Sequence, residues 1–145
     1  MKKLLFTLAI IFPMFAFMGC GSDKEEPNPP TDRTITTQEL ESAPSFVHDY
    51  PDGGKLYIKF RDGHIYTKEV TKDGVVMNQD DIIYTLSGEN ITMEMGWQKT
   101  RGTINKVVFN DGNTGIVMNF EGGFGIATWL SKTFRWNNNT FEQTI

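Results

Sequence analysis

Hydrophobic and polar residues alternate along much of the chain from Ser45 onward. A period of two residues turns one face of a strand toward a core and leaves the other in water, which is typical of antiparallel β-sheets. The alternation therefore predicts strands whose buried faces consist of three apolar sets: Leu56, Ile58 and Phe60; Ile91, Met93 and Met95; and Ile116, Met118 and Phe120.

Asp-Gly pairs separate these runs at positions 52–53, 62–63, 73–74 and 111–112. Asp-Gly favours tight hairpin turns, because the central residues of such turns take positive φ angles. Short strands between closely spaced turn signals indicate a β-sandwich or a β-barrel. Residues rich in β-branched and aromatic side chains fill eight segments that we predict as strands: 55–60, 64–70, 75–78, 82–86, 91–95, 103–109, 116–120 and 126–130.

The predicted fold is all-β: an antiparallel meander of about eight strands that closes into a small barrel, since closure removes the exposed edges of the sheet. A β-sandwich is the alternative. The one predicted helix covers residues 36–41, where Thr36 can cap the first turn and Glu39 follows three residues later. Residues 45–145 are predicted to form this single β domain.

The N-terminus has the pattern of a secretory signal. Lys2 and Lys3 precede an uncharged apolar run over residues 4–18, which is shorter than the roughly 20 residues of a membrane-spanning helix. The segment 17–20, Phe-Met-Gly-Cys, resembles the lipobox of bacterial lipoproteins. The resemblance implies that residues 1–19 are removed and that the thiol of Cys20 receives a diacylglycerol. Two or more acyl chains, at about 0.8 kcal/mol per buried methylene, give stable membrane association.

Residues 20–44 are predicted to be a lipidated cysteine followed by a flexible tether. Residues 21–33 offer no apolar surface to bury and contain three prolines, so they favour an extended spacer. The run 22–26, Ser-Asp-Lys-Glu-Glu, looks like the acidic export tag of surface-exposed lipoproteins; an ordinary acidic linker is the alternative. We expect a lipid anchor in the cell envelope, at the outer membrane, facing outward if the run is such a tag.

The charge of the chain argues against some partners. Residues 1–19 hold two of the 14 basic residues and none of the 18 acidic ones, so the chain without them has a net charge of −6. An acidic chain without a basic patch is not suited to nucleic acid. Cys20 is the only cysteine, so no disulfide is expected within the chain.

Residues 84–93, Tyr-Thr-Leu-Ser-Gly-Glu-Asn-Ile-Thr-Met, look like the central hairpin of small bacterial lipocalin-like lipoproteins. Residues 133–136, Thr-Phe-Arg-Trp, are similar to the strand that closes such domains. The resemblance implies a barrel that holds an apolar or glycan ligand. The residues expected to contact that ligand are Met93, Met95, Met118, Phe120 and Trp129, because methionines adapt to apolar guests and aromatic rings stack on sugars.

Phe124 lies within a glycine-rich segment, Gly122 to Gly125, where exposure would let it anchor a protein partner. The alternative for Phe124 and for the tryptophans is a place in the core.

No motif of a common enzyme class is present, and no cofactor is expected. His48 and His64 could bind zinc together with Asp49 or Asp62, or could simply be surface histidines. Residues 78–81, Asn-Gln-Asp-Asp, could bind calcium or form a solvated turn. Folding could also bring together a glycosidase pair from three glutamates: Glu69, Glu94 and Glu121.

Two non-enzymatic functions therefore remain, and the lipocalin-like resemblance favours the first of them. One is a binding module whose barrel holds an apolar or glycan ligand. The other is an accessory lipoprotein that docks a protein of the cell envelope. An open barrel interior favours the first, and a filled interior favours the second.

Overall fold

The computed structural model describes residues 33–122 and 125–144, and within them eight antiparallel strands form one closed barrel. Each strand pairs with the next along the chain, and the last pairs with the first, so the predicted barrel is confirmed and the sandwich is not formed. The strands are β1 (Ser45–Asp49), β2 (Lys55–Arg61), β3 (His64–Val70), β4 (Val76–Ser87), β5 (Asn90–Met95), β6 (Gln98–Val108), β7 (Thr114–Phe120) and β8 (Thr133–Asn137). Two short α-helices, α1 (Thr37–Ser42) and α2 (Ile126–Leu130), and a 3₁₀ turn (Phe141–Gln143) complete the described part.

The prediction of two strands at 75–78 and 82–86 was wrong, because both belong to the single strand β4. The polar residues between them, Gln79, Asp80 and Asp81, were expected to form a solvated turn. They contain neither glycine nor proline, and an extended backbone can therefore continue through them.

The segment 126–130 was predicted as a strand and is the helix α2. Its buried residues are Ile126, Ala127 and Leu130. They occupy positions i, i+1 and i+4, which lie on one face of a helix. A short apolar run does not distinguish strand from helix by periodicity alone. The strand β1 was missed, whereas the closing strand at 133–136 is confirmed as β8.

The predicted inward faces are largely confirmed. Leu56, Ile58 and Phe60 have no exposed surface, and neither do Ile91, Met93, Ile116 and Met118. Phe120 is 8% exposed, and Met95 is partly buried against the core. The alternation thus identified which side of three strands forms the interior.

All four Asp-Gly pairs lie in hairpin turns. Asp62 and Gly63 both have positive φ, 50° and 79°, as a two-residue turn requires. The other three pairs lie in longer loops in which only the glycine has positive φ, which is the geometry of a type I turn followed by a bulge. Each of these loops is closed by two backbone hydrogen bonds: the N–H of its first residue donates to the carbonyl of the fifth, and the N–H of the glycine donates to the carbonyl of the first. The loops run from Tyr50 to Gly54, from Thr71 to Val75 and from Phe109 to Asn113.

The helices cover opposite ends of the barrel, which we call the α1 end and the α2 end. At the α1 end, Ile35, Leu40 and Ala43 are buried in the core. At the α2 end, which also carries the β1–β2, β3–β4 and β5–β6 turns, Ile126, Ala127 and Leu130 are buried. Among the described residues, neither helix has the length and apolar character needed to cross a membrane.

The helix α1 is fixed to the barrel by polar contacts as well. Its predicted cap is confirmed, since Thr36 and Glu39 form a reciprocal capping box. Lys59 Nζ donates to the carbonyls of Glu41 and Ala43, at 2.8 and 2.6 Å, and Tyr84 Oη donates to Glu41 at 3.0 Å. Residues 33–44, which the sequence analysis assigned to the tether, therefore pack on the domain. The rest of the predicted tether and Cys20 lie outside the described residues.

Glu39 makes the docking of α1 depend on pH. A hydrogen bond from Lys106 Nζ, 2.8 Å away, and a second from the backbone of Thr36 lower the pKa of Glu39 from 4.5 to about 2. A carboxyl group with a lowered pKa stabilises the fold above its ordinary pKa and loses this contribution as the pH falls.

We therefore expect the free energy of unfolding to decrease between pH 4.5 and about 2 in the wild type, and to decrease less in Glu39→Gln. Glutamine retains a side-chain oxygen for the capping box, so the variant removes mainly the charge. Urea unfolding of both proteins across this pH range measures the difference. Identical pH dependence of the two proteins would contradict the assignment.

Candidate functional site

The centre of the barrel is filled. A side chain with no accessible surface touches neither the solvent nor an internal cavity large enough for a water molecule. Met93 and Met118, two of the residues expected to contact a ligand, are in this state. Residues of seven strands around them also have no accessible surface: Leu56, Ile58, Phe60, Ile65, Ile82, Ile91, Ile104, Ile116 and Phe134. These residues are close-packed and leave no room among them for an apolar guest.

Replacing Met93 with tryptophan tests whether the centre is filled. Overpacking should lower the free energy of unfolding by about 1–3 kcal/mol. Met77→Trp is the matched control, because Met77 is 60% exposed and the larger ring has space there. Chemical denaturation measures both variants, and an apolar fluorescent probe should not bind the wild type. A Met93→Trp variant as stable as the wild type would reveal a cavity.

The interior becomes polar toward the α2 end. Ile65 and Thr67 alternate with outward residues on β3, and the same period points Glu69 inward. On β4 it points Asn78 and Asp80 inward, in line with Ile82. The strands therefore extend beyond the apolar core and carry polar groups into the mouth of the barrel.

Glu69 is the centre of a hydrogen-bonded cluster in this mouth. Tyr50 Oη donates to one of its carboxylate oxygens at 2.8 Å, and Asn78 Nδ2 donates to the other at 2.9 Å. Burial alone would raise the pKa of Glu69, but these bonds and the Trp129 side chain hold the pKa below its usual value. Burial, and then the bond to Glu69, raises the pKa of Tyr50. Glu69 is therefore ionised and already satisfied by its neighbours.

A cleft of about 420 Å³ lies beside this cluster. Its lining combines polar side chains of the barrel wall with the edge of α2: Glu69, Asn78, Asp80, Met95, Gln98, Gly125, Ile126 and Trp129. Of the residues predicted to contact a ligand, Met95 and Trp129 meet here, whereas Met93, Met118 and Phe120 lie in the core. Phe124, the predicted partner anchor, lies outside the described residues.

The barrel wall is incomplete next to the cleft. Strand β3 pairs with β4 from Val76 to Ile83, but β5 pairs with β4 only from Ile83 to Ser87. No other described segment pairs with residues 76–81 on the side where β5 ends. This stretch of β4 is therefore an open edge, which we call the β4 edge.

The direction of the backbone groups along the β4 edge follows from its hydrogen bonds. The N–H of Tyr84 donates to the carbonyl of Gly63, and the N–H of Asp80 donates to Thr67 Oγ1. The backbone N–H and C=O groups of the even-numbered residues therefore point toward β3. The N–H and C=O groups alternate in direction along an antiparallel strand. The pairing register shifts between Glu69 and Val70, which leaves a bulge at Met77. The alternation holds from Asn78 onward, so the backbone groups of Gln79 and Asp81 face the open side.

Exposed apolar side chains gather around the same strand. Among the described residues, the large hydrophobic side chains that remain exposed are Val75 (56%), Met77 (60%), Ile83 (50%) and Trp97 (90%). Val75 precedes β4, Met77 lies at the bulge near the start of β4, and Ile83 lies on the outer face of the strand. Trp97 lies in the β5–β6 turn, where β5 leaves β4. Single exposed apolar residues are ordinary, but a group along one strand indicates a contact surface.

The histidine metal site considered from the sequence is not assembled. His48 pairs with Leu56 and His64 with Arg61, so the two histidines lie five residues apart along β2, roughly 16 Å. His48 Nδ1 lies 2.9 Å from the carbonyl of Thr133, and His64 Nδ1 lies 2.6 Å from Asp81. In the described ranges, no three histidine, cysteine or acidic side chains cluster as metal ligands.

Of the three glutamates that folding could have brought together, Glu94 and Glu121 line one cleft on the outside of the barrel, and the barrel wall separates Glu69 from Glu94. Glu69 points inward, whereas Glu94 alternates with the inward-facing Met93 and Met95 and therefore lies outside. Glu94 there forms an ion pair with Lys99 at 3.7 Å.

No family model matches the chain, and no curated protein or solved structure is significantly similar to it.

The sequence analysis missed the polar mouth and the β4 edge. The one available signal was the continuation of the two-residue period from Ile82 and Tyr84 back through Asp80 and Asn78. If residues 78–84 had been interpreted as one strand, this period would have placed the side chains of Asn78 and Asp80 on the inner face.

Proposed function

We propose that this protein is a lipid-anchored, non-enzymatic interaction protein that docks another protein of the bacterial cell envelope through the outer face of β4. The observation that carries the proposal is that Val75, Met77 and Ile83, three of the four large hydrophobic side chains exposed among the described residues, lie in or next to one strand. The filled interior supports it, because the space that an apolar ligand would need is occupied by core side chains. Aromatic and methionine side chains are enriched at the centres of protein interfaces.

The anchor in this proposal is Cys20. Lipid on its thiol holds the domain at the membrane, and the acidic segment that follows gives the domain reach toward a partner. An outer-membrane location, with the domain facing outward if residues 22–26 act as an export tag, is part of the proposal.

Cys20→Ala should abolish lipid attachment and leave an uncut precursor, because no other thiol is available. Labelling cells with a fatty-acid analogue measures attachment, and the mobility of the chain on a gel measures processing. Equal labelling of wild type and variant would contradict the anchor.

Photo-cross-linking in cells tests the docking surface. A cross-linking amino acid placed at Met77 or Trp97 should form an adduct of one defined size with an envelope protein. The same amino acid at Asn138, an exposed residue at the α1 end, is the control and should not form that adduct. No adduct from positions 77 and 97, or the same adduct from position 138, would contradict the proposal.

A second candidate function is the binding of a glycan in the cleft at the α2 end. The observation that favours it is the half-buried ring of Trp129 beside planar polar groups of Asn78, Asp80 and Gln98. Calorimetry with soluble oligosaccharides tests this candidate. Gln98→Ala should then weaken binding, whereas Trp97→Ala, outside this cleft, should leave it unchanged.

A further inference from the structure

The β4 edge exposes backbone groups that a barrel normally satisfies. Closed barrels remove sheet edges, and proteins that retain an edge usually protect it with charges, prolines, bulges or a covering segment. Here the edge runs from Val76 to Asp81 without proline, and beyond the bulge at Met77 it continues as regular strand from Asn78 to Asp81. An edge of this length can accept the backbone of another extended chain.

The charge on and beside the edge selects what can pair with it. Asp80 points inward next to Glu69, Asp81 points outward, and Glu94 lies on the outer face of the neighbouring strand. An inward-pointing carboxylate protects an edge against indiscriminate pairing. A strand that carries lysine or arginine would instead place its charges opposite these carboxylates.

The apolar residues favour the same occupant. A strand added beside β4 would lie between Met77 and the turn that holds Trp97, so its alternate side chains would contact both. The combination fits an extended segment in which apolar residues alternate with basic ones.

We infer that the β4 edge binds an extended, basic segment of the envelope partner as an additional β-strand. The inference rests on the proposed docking function and specifies its chemistry. The backbone groups of Gln79 and Asp81 provide the hydrogen bonds, the carboxylates select basic residues, and Met77 and Trp97 contact the apolar ones.

A second copy of this chain suits the edge less well. Two β4 edges side by side would bring Asp80 and Asp81 of both copies into one short ladder. Like charges facing each other across a ladder are destabilising. The acidic residues at the edge are therefore complementary in charge to a basic strand and not to the same edge of a second copy.

A fluorescent eight-residue peptide of alternating valine and lysine, titrated into the full-length chain in detergent, tests the inference. Fluorescence anisotropy should show saturable binding. The same peptide with N-methylated amides keeps its charge and apolar content but cannot donate backbone hydrogen bonds, so its affinity should fall at least about tenfold. A valine–glutamate peptide should not bind.

A matched pair of variants locates the binding. Gln79→Pro removes an N–H that faces the open side and no hydrogen bond of the barrel, and proline is tolerated on edge strands. It should weaken binding of the valine–lysine peptide at least about tenfold, whereas Gln79→Ala, which retains the N–H, should bind like the wild type. If Gln79→Pro does not fold, the N-methylated peptide on the wild type decides.

Three outcomes would overturn the inference. The first is no binding of the valine–lysine peptide. The second is equal binding of its N-methylated form, which would indicate electrostatic adsorption only. The third is a dimer in sedimentation that Gln79→Pro dissociates, because the edge would then be occupied by a second copy. The proposed function fails separately: it fails if no adduct forms from positions 77 and 97, even when the peptide binds.

Discussion

Gly115→Ala is expected to prevent the barrel from closing stably. Gly115 lies in β7 opposite Arg135 of β8, in a ladder of only three residue pairs. A Cβ atom at this position would lie 2.1 Å from the carbonyl oxygen of Phe134 and 2.8 Å from the ring of Phe109. The first neighbour is backbone of the paired strand and cannot rotate away, so the two strands would have to separate.

The expected loss for Gly115→Ala is more than about 3 kcal/mol of unfolding free energy, at the upper end of overpacking effects, because the added atom meets backbone. Thr114→Ala is the control, since Thr114 is exposed and already carries a Cβ atom. Urea unfolding measures both. A Gly115→Ala variant that unfolds at the same urea concentration as the wild type would show that β7 and β8 are not this close.

Leu40→Ala should have the second largest effect. Leu40 is the buried residue of α1 and has no exposed surface, so truncation leaves a cavity where the helix covers the α1 end. Leucine-to-alanine changes at such positions cost about 2–5 kcal/mol. Gln38→Ala, on the exposed side of the same helix, should cost little.

The same two variants test where the domain begins. Mild proteolysis of Leu40→Ala should cut near α1, whereas the wild type and Gln38→Ala should resist cleavage there. If Leu40→Ala lowered the free energy of unfolding by less than about 1 kcal/mol, residues 33–44 would belong to the tether and not to the folded domain.

The fold was predictable where side-chain period and turn chemistry agreed. Leu56, Ile58 and Phe60 alternate cleanly and end at an Asp-Gly turn, and β2 was found with nearly correct bounds. The prediction failed where one signal acted alone. The polar run 79–81 was read as a break although it lacks glycine and proline, and the five apolar-rich residues of α2 were read as a strand.

The site was less predictable, because it depends on how far each strand extends. Nothing in the sequence states that β5 pairs with β4 only from Ile83 onward, yet this difference creates the β4 edge. Nor does the alternation that places Met93 and Met118 inside show whether they line a pocket or fill a core. That distinction depends on the summed volume of side chains from all strands.

Hydrogen exchange of the lipidated protein most directly tests whether β4 is the docking surface. The measurement compares the protein in isolated cell envelopes with the same protein after extraction into detergent. We expect the amides of Gln79 and Asp81 to exchange slowly in the envelope and rapidly after extraction, with the other strands unchanged. Equal exchange of residues 76–81 in both states, or protection confined to another face of the barrel, would contradict the account.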